Sequence, residues 1–283
     1  MVNGPGRRPS AKWVQLTPWS HSQGEGAGKE IEFKYRVQGD AALKALAAAA
    51  GGKATPAKQF SHFFDTGNQA LTRSGYMLRV SGEFSEEHNN LWLVTAKGRP
   101  GKTSYASLSD RQELEVAVPE HIGRQVLDGT LSPLSLLEWH PSLDREGRQL
   151  LEEVQSRVKN RPLTHVGAFE NDRTRVPLKL SNGKEVKLEL DRTRFPGQTH
   201  YEVEVEVPQG VDVNLTNREL QKLFAQAKVS AFPSTSKADR LFEILQKTGR
   251  PRGPAPAPKG EAWWRGPSAA LQAWSGRSSF AAA

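Results

Sequence analysis

The segment Lys29-Glu30-Ile31-Glu32-Phe33-Lys34-Tyr35-Arg36-Val37 alternates strictly between charged and apolar side chains. Successive side chains of a β-strand point to opposite faces of a sheet, so a strand over residues 29–37 has one charged and one apolar face. The charged face carries Glu30, Glu32, Lys34 and Arg36. A lone strand of this kind commonly keeps its charged face in water.

The same alternation recurs in segments 111–118, 186–191 and 201–207, and more briefly at 173–175. Their charged members are Arg111, Glu113, Glu115, Arg173, Arg175, Lys187, Glu189, Asp191, Glu202, Glu204 and Glu206. In all, the periodicities indicate about eight strands and four or five helices. They predict an α+β fold in which an antiparallel sheet curls up, with helices beside it.

Two arrangements fit these faces: the charged sides lie in water around an apolar interior, or they line a barrel whose apolar outside is covered by helices. Glu202, Glu204 and Glu206 favour the barrel. Carboxylates at i and i+2 on a strand lie roughly 6.5–7 Å apart, so three in a row repel one another and gain nothing in water. If rows of Arg and Lys from other strands face these three carboxylates, the acids and the bases together can bind one ligand.

Acids and bases in one cavity are typical of a metal ion bound together with a polyanion. Hard divalent cations take carboxylate oxygens, and Mg²⁺ is commonly shared between carboxylates and substrate phosphates. Arginine and lysine neutralise the phosphates. The charge rows therefore predict a site for a hard divalent cation such as Mg²⁺ together with a polyanion that carries phosphates, with solvated charged faces as the alternative.

Composition limits which other classes of function are possible. The 283 residues include no cysteine, which excludes disulfides, thiol catalysis and thiolate metal sites. The net charge is +8, but segment 1–28 carries +2 and segment 250–283 carries +4, which leaves +2 for residues 29–249. We therefore expect no nucleic-acid partner, and no obligate protein partner is visible.

The domain organisation follows from composition. Residues 1–28 read as a flexible tail, 29–249 as one domain, and 250–283 as a Pro/Ala/Gly-rich tail without fixed structure. No apolar run approaches the roughly 18 residues of a membrane span, and no signal-peptide centre is present. We expect a cytoplasmic protein, with an organelle transit peptide in 1–28 as the alternative.

Local sequence signals predict where the individual helices, strands and loops lie. Asp40 is the expected N-cap of a helix over 41–50, Thr216 with Glu219 forms an expected capping box, and residues 82–90 read as a polar hairpin loop. The other expected helices are 119–128, 142–159, 216–228 and 236–247, and the other expected strands are 60–65, 76–81, 91–96, 111–118, 165–170, 172–180, 185–195 and 200–207.

An ordered series of motifs across 29–249 resembles the CYTH domain, also called the triphosphate tunnel metalloenzyme superfamily. The first is Glu30-Ile31-Glu32-Phe33-Lys34, which resembles the Glu-x-Glu-x-Lys signature of that family. The others are Phe63-Phe64-Asp65-Thr66, Gly75-Tyr76-Met77-Leu78-Arg79, Thr95-Ala96-Lys97-Gly98, Arg111-Gln112-Glu113-Leu114-Glu115, the pair Arg173 and Arg175, Asp191, Glu202 to Glu206, and Ser236-Lys237-Ala238-Asp239-Arg240.

The resemblance implies an eight-stranded antiparallel β-barrel with a charged interior and helices on the outside, which binds a triphosphate and Mg²⁺ or Mn²⁺ and hydrolyses the terminal phosphoryl group. Glu30, Glu32, Glu202 and Glu204 would be catalytic. The implied metal ligands come from Glu30, Glu32, Asp191, Glu202, Glu204 and Glu206, with Glu202 and Glu204 favoured within their strand. The implied phosphate contacts are Lys34, Arg36, Arg79, Lys97, Arg111, Arg173, Arg175 and Lys237. Glu113 and Glu115 would complete an inner charge network.

Some signals remain open or are set aside. Ser81 stands where the family often carries a second arginine, which affects the expected number of phosphate contacts. Residues 96–103 nearly spell a P-loop, but the residues that follow do not read as the helix it needs. Asp65 is expected to set a turn.

Inorganic triphosphate is the favoured substrate. The alternatives are a thiamine or nucleoside triphosphatase, a class IV-type adenylate cyclase, and a non-catalytic polyphosphate- or nucleotide-binding module.

Overall fold

The computed structural model describes residues 26–86, 90–138 and 143–248, and it contains a closed eight-stranded antiparallel β-barrel. The strands are β1 (Gly26–Val37), β2 (Thr55–Thr66), β3 (Met77–Ser85), β4 (Leu91–Lys97), β5 (Leu108–Val118), β6 (Leu163–Lys179), β7 (Glu185–Phe195), β8 (Gln198–Glu206) and a short β9 (Phe232–Pro233). Neighbours follow the order β5-β4-β3-β2-β6-β7-β8-β1, and a β1–β5 pairing closes the ring. The predicted barrel is confirmed.

Seven helices accompany the barrel in the described residues. They are α1 (Gly39–Ala50), α2 (Ala70–Arg73), α3 (Glu120–Leu127), α4 (Pro133–Glu138), α5 (Arg145–Val158), α6 (Val213–Gln226) and α7 (Lys237–Lys247). None of these helices is long and apolar enough to span a membrane.

The apolar face of the strands is covered by helices α1 to α6. Trp92 and Leu114 pack with Leu150 of α5 in one cluster, which α2, α3 and α4 also join. Phe33 packs with Leu220 of α6 in a second cluster, to which α1 contributes. Fully burying side chains of this size stabilises the fold by roughly 1.5–3 kcal/mol each. The apolar half of each alternating strand therefore holds the helices against the barrel.

Helix α7 packs differently, against the opposite face of the strands at one end of the barrel. Its Leu241 and Phe242 join a buried cluster with Phe63, Phe169 and Phe195. Along β6 and β7, Phe169 and Phe195 lie an even number of residues from Arg173 and Asp191, so they share the face that carries the charges. We call this end of the barrel the α7 end.

Several element boundaries differ from the sequence predictions. Segments 165–170 and 172–180 form one strand, β6, and β2 begins at Thr55. Helix α1 begins after Gln38, so Asp40 lies in its first turn and is not the N-cap. Helix α6 is capped by Asp212, which accepts a hydrogen bond from the Leu215 amide, so the predicted capping box is also wrong. The expectations for 1–25 and 249–283 lie outside the described residues.

Asp65 organises the connection between β2 and α2. Its buried carboxylate accepts hydrogen bonds from the amides of Thr66, Leu71 and Thr72, and from the Thr72 hydroxyl. These contacts fit the expected turn role. One carboxylate thus satisfies several amides that the short helix leaves without partners.

Residues 82–85 were expected in a loop, but β3 continues through them to Ser85. The extension places Glu83 opposite Gln59 of β2, whose side-chain amide donates a hydrogen bond to it. It also brings Glu83 to Arg175 of β6, which donates two hydrogen bonds of 2.5 and 2.7 Å. Burial acts to raise the Glu83 pKa, but the hydrogen bonds and charge of Arg175 outweigh it and lower the pKa to about 2.

We predict that Asp65→Asn lowers the free energy of unfolding by about 2 kcal/mol, because an amide nitrogen cannot accept the bonds that one carboxylate oxygen accepts now. Urea unfolding measures this change. Asp110→Asn is the control, since Asp110 forms a partly exposed pair with Lys29 at 2.8 Å, and exposed pairs are worth at most about 1 kcal/mol. Equal losses in the two variants would contradict the role given to Asp65.

We predict a pH-dependent stability difference between wild type and Glu83→Gln. A carboxyl whose folded pKa is depressed stabilises the fold above its unfolded pKa, and loses this contribution as the pH falls towards the folded pKa. With pKa values of 4.5 unfolded and about 2 folded, the difference in unfolding free energy should shrink by about 2 kcal/mol between pH 6 and pH 3. Urea unfolding at both pH values tests this, and a constant difference would contradict it.

Candidate metal and phosphate site

Three acidic side chains from β7 and β8 converge below the surface of the barrel. Asp191 lies opposite Glu202 in the strand register, and Glu204 is two residues further along β8. One carboxylate oxygen from each lies within 4.8 Å of the others, and the three residues are 0%, 1% and 5% exposed. Carboxylate oxygens are the ligands that Mg²⁺ and Mn²⁺ take in proteins, so this donor set fits such an ion. We call Asp191, Glu202 and Glu204 the three-acid cluster.

Basic side chains surround the three-acid cluster. Lys237 at the start of α7 contacts all three acids. Arg173 of β6 binds Asp191 at 2.8 and 2.6 Å and Glu204 at 2.8 Å. Lys34 of β1 lies 3.1 Å from Glu204. A buried charge is costly unless it is paired, so the acids and bases depend on one another in this structure.

A second group of charges lies on β1, β3, β4 and β5. Lys97 Nζ is 2.7 Å from Glu30 Oε1 and 2.9 Å from Glu113 Oε1. Arg79 is 3.2 Å from Glu115 and also approaches the Thr95 hydroxyl at 3.4 Å. Glu30, Glu113 and Glu115 belong to the alternating charge rows of the sequence, whereas Lys97 and Arg79 were expected here only from the family resemblance.

Many of these ion pairs skip a strand. Lys97 of β4 reaches Glu30 of β1 across β5, and Arg173 of β6 reaches Glu204 of β8 across β7. Side chains can meet across an intervening strand only if both project from the same face of the sheet. The contacts therefore place the two charge groups on one common face, opposite the face covered by α1 to α6.

Burial and neighbouring charges raise the pKa of some acids at the site and lower the pKa of others. Burial, reinforced by the negative charge of Glu204, raises the pKa of Glu32 to about 8. Burial also acts to raise the Glu204 pKa, but Lys237, Lys34 and Arg173 outweigh it and hold that pKa well below its usual range. The Glu202 pKa is raised, mainly by burial. Without further positive charge, these acids do not all ionise at neutral pH, and a divalent cation would favour their ionised forms.

Most of the residues expected at the site are joined by these contacts. They are Glu30, Glu32, Lys34, Arg79, Lys97, Arg173, Arg175, Asp191, Glu202, Glu204 and Lys237. Glu206 lies opposite Glu32 and is only half-buried, outside the three-acid cluster, so the geometry favours Glu202 and Glu204 as ligands. Glu113 and Glu115 join the network through Lys97 and Arg79.

Two residues expected to contact phosphate, Arg36 and Arg111, lie on the charged face but away from the three-acid cluster. Arg36 lies opposite Glu202 in the register, but its side chain is exposed because it is near the end of β1. Arg111 lies opposite Glu30, and its buried Nε has no hydrogen-bond partner among the described residues. Both share the charged face by strand parity, and neither reaches the three-acid cluster.

Two charged residues at the site received no role from the sequence. Arg240 is 4% exposed and contacts Glu202. It lies three residues after Lys237 on α7, so helical spacing could have placed it on the same face. Glu189 binds both Arg173 and Arg175, and the alternation of β7 already put it on the charged face.

The near-P-loop at 96–103 is not a P-loop in the structure. No helix follows it before β5 in the described residues, and Lys97 reaches Glu30 and Glu113 instead. Ser81 is half-buried on the charged face, opposite the buried Ser61 of β2. A short hydroxyl side chain therefore occupies the position at which the family often has an arginine.

Comparisons with known proteins agree with the fold. The fold is similar to HpAC1 from Hippeastrum, described as an adenylyl cyclase candidate with a dominant triphosphatase activity, at 24% identity and a TM-score of 0.58, covering 81% of this chain and 99% of that one. It is also similar to an adenylate cyclase candidate from Bacillus halodurans, at 20% identity and a TM-score of 0.51, covering 76% and 99%. No curated protein matches the sequence. The sequence matches the CYTH domain family over residues 28–242, so this chain belongs to that family.

Proposed function

We propose that this protein is a divalent-metal-dependent triphosphatase that hydrolyses inorganic triphosphate to diphosphate and phosphate. The observation that carries the proposal is the three-acid cluster, buried among lysines and arginines on one face of a closed barrel. A site that only bound a polyanion would need the bases alone. The acids are explained by a metal ion that binds with the polyanion.

Asp191, Glu202 and Glu204 would hold Mg²⁺ or Mn²⁺. When bound, the ion supplies positive charge that neutralises the charge developing on the phosphoryl oxygens during transfer. Glu30 and Glu32 project from the same face of β1 towards this region, and Glu32 lies beside Lys34, which bridges to Glu204. Their proposed role is to orient the attacking water and to accept its proton.

The basic residues would hold the phosphate chain. In the described structure, Lys34, Lys97, Arg79 and Arg173 are each bound to carboxylates. A triphosphate brings oxygens that can replace those carboxylates, and a guanidinium group can bind two such oxygens at once. The bases are therefore already on one face before the substrate arrives, which lowers the cost of assembling the site.

The end of the barrel opposite α7 supports an inorganic substrate over a thiamine or nucleoside triphosphate. A cavity of about 190 Å³ lies there, next to Arg175, and is lined by Lys53, Thr55, Arg175, Val176, Pro177, Glu185 and Lys187. Among the described residues, no aromatic side chain lines it. An organic ring would find no stacking partner there, whereas a charged phosphate chain would find Lys53 and Lys187 beside one acid, Glu185.

An adenylate cyclase is the second candidate, because both similar structures carry that description. The two activities share the triphosphate and the metal and differ in the nucleophile and in the phosphorus attacked. In a triphosphatase, water attacks the terminal phosphorus; in a cyclase, the ribose hydroxyl attacks the α-phosphorus and diphosphate leaves. A triphosphatase releases phosphate from triphosphate and makes no cyclic nucleotide. A cyclase makes cyclic AMP from ATP.

We predict that phosphate release from inorganic triphosphate requires Mg²⁺ or Mn²⁺, stops with excess chelator, and falls at least about a hundredfold in Glu204→Gln. The reason is that the substitution removes one charged ligand from the three-acid cluster. A colorimetric phosphate assay measures the rate, with ATP and thiamine triphosphate as parallel substrates and cyclic AMP measured from ATP.

Glu152→Gln is the matched control for this experiment, because Glu152 is exposed on α5 and should leave the rate unchanged. Far-ultraviolet circular dichroism verifies that each variant is folded. Faster release from another triphosphate would contradict the inorganic substrate. Binding of triphosphate without release of phosphate or formation of cyclic AMP would contradict the enzyme and support a binding module.

A further inference from the structure

The ammonium group of Lys237 lies among the three acids that the proposed function assigns to a metal ion. Its Nζ is 2.8 Å from Asp191 Oδ2 and 2.6 Å from Glu204 Oε2, and it also contacts Glu202 Oε1. These are the three residues of the three-acid cluster. Among the described residues, no other basic group is in contact with all three.

We infer that Lys237 is a built-in competitor of the divalent ion, so that metal binding displaces its ammonium from the three-acid cluster and frees it for a phosphate oxygen. The inference deepens the proposed function and rests on its metal site, although not on hydrolysis. One small cluster of oxygens cannot hold an ammonium and a divalent ion in the same place, because the two cations repel each other and need the same ligands.

The packing of α7 indicates that the Lys237 side chain moves while the helix backbone keeps its position. Leu241 and Phe242 anchor α7 in the aromatic cluster at the α7 end. Arg240, one turn after Lys237, contacts Glu202 and would keep that carboxylate in position after Lys237 leaves. A lysine has a flexible stem of four carbons, which allows its ammonium to swing away without a change in the backbone.

Arg173 has a different position from Lys237. It binds Asp191 with two parallel hydrogen bonds and contacts Glu189 and Glu204 from β6, at the side of the cluster. Each Asp191 oxygen that Arg173 binds keeps a second lone pair for the ion, so Arg173 can remain beside Asp191 when the metal binds. Lys237 is thus the cation whose release is coupled to metal loading, and its release would provide one more phosphate contact when the metal is in place.

The test is calorimetric titration with Mn²⁺ at pH 8, without phosphate, of wild type, Lys237→Met and Lys247→Met. Methionine is about as long as lysine but carries no charge. If Lys237 competes with the ion, Lys237→Met should bind Mn²⁺ at least about tenfold more tightly, because no ammonium has to leave the three-acid cluster before the ion binds. Lys247 is exposed at the other end of α7, and its variant should match wild type.

A second readout uses the wild-type protein and does not depend on the folding of a variant. Amine acetylation followed by mass spectrometry should show Lys237 protected without metal and labelled severalfold faster with Mn²⁺, while Lys247 is unchanged. Wild type that binds Mn²⁺, with no change in Lys237 labelling and no gain in Lys237→Met, would overturn the inference and leave the proposed function standing. Wild type that binds no Mn²⁺ would overturn both.

Discussion

The structure depends on the pairing of buried charges across the strands of a closed barrel. An unpaired charge below the surface costs several kcal/mol, so every acid on the charged face needs a base within reach. Lys97 with Glu30 and Arg173 with Glu204 meet this need across an intervening strand. These pairs require that the residues which form them project to one face, and helices α1 to α6 cover the apolar face.

Compared with apolar side chains in the same positions, such a network adds little to stability. Replacing a buried ion pair with apolar side chains is often neutral or stabilising, because desolvation offsets the attraction. A barrel of this size could hold an apolar interior, and the α7 end shows one, built from Phe63, Phe169 and Phe195. We propose instead that the charged part serves ligands: a metal ion would replace Lys237 on the three-acid cluster, and phosphates would replace carboxylates on the arginines.

The strands and their faces could be predicted because alternation is a local property of the sequence, and Glu30 to Arg36 shows it without interruption. The partners of each charge could not be predicted, because strand register and barrel closure are set by distant residues. Glu83 was expected in a loop, since its polar surroundings resemble a turn, yet it pairs with Arg175. The contact of Lys237 with all three acids depends on how α7 enters one end of the barrel, which no local pattern describes.

The central claim is that the three-acid cluster holds a metal ion beside a triphosphate on the charged face of the barrel. The most direct measurement is a crystal structure with Mn²⁺ and a non-hydrolysable triphosphate analogue, with anomalous scattering used to locate manganese. The account predicts a manganese peak coordinated by Asp191, Glu202 and Glu204, with the analogue bound to Arg173 and Lys34. Manganese coordinated elsewhere, or the analogue bound outside the barrel, would contradict it.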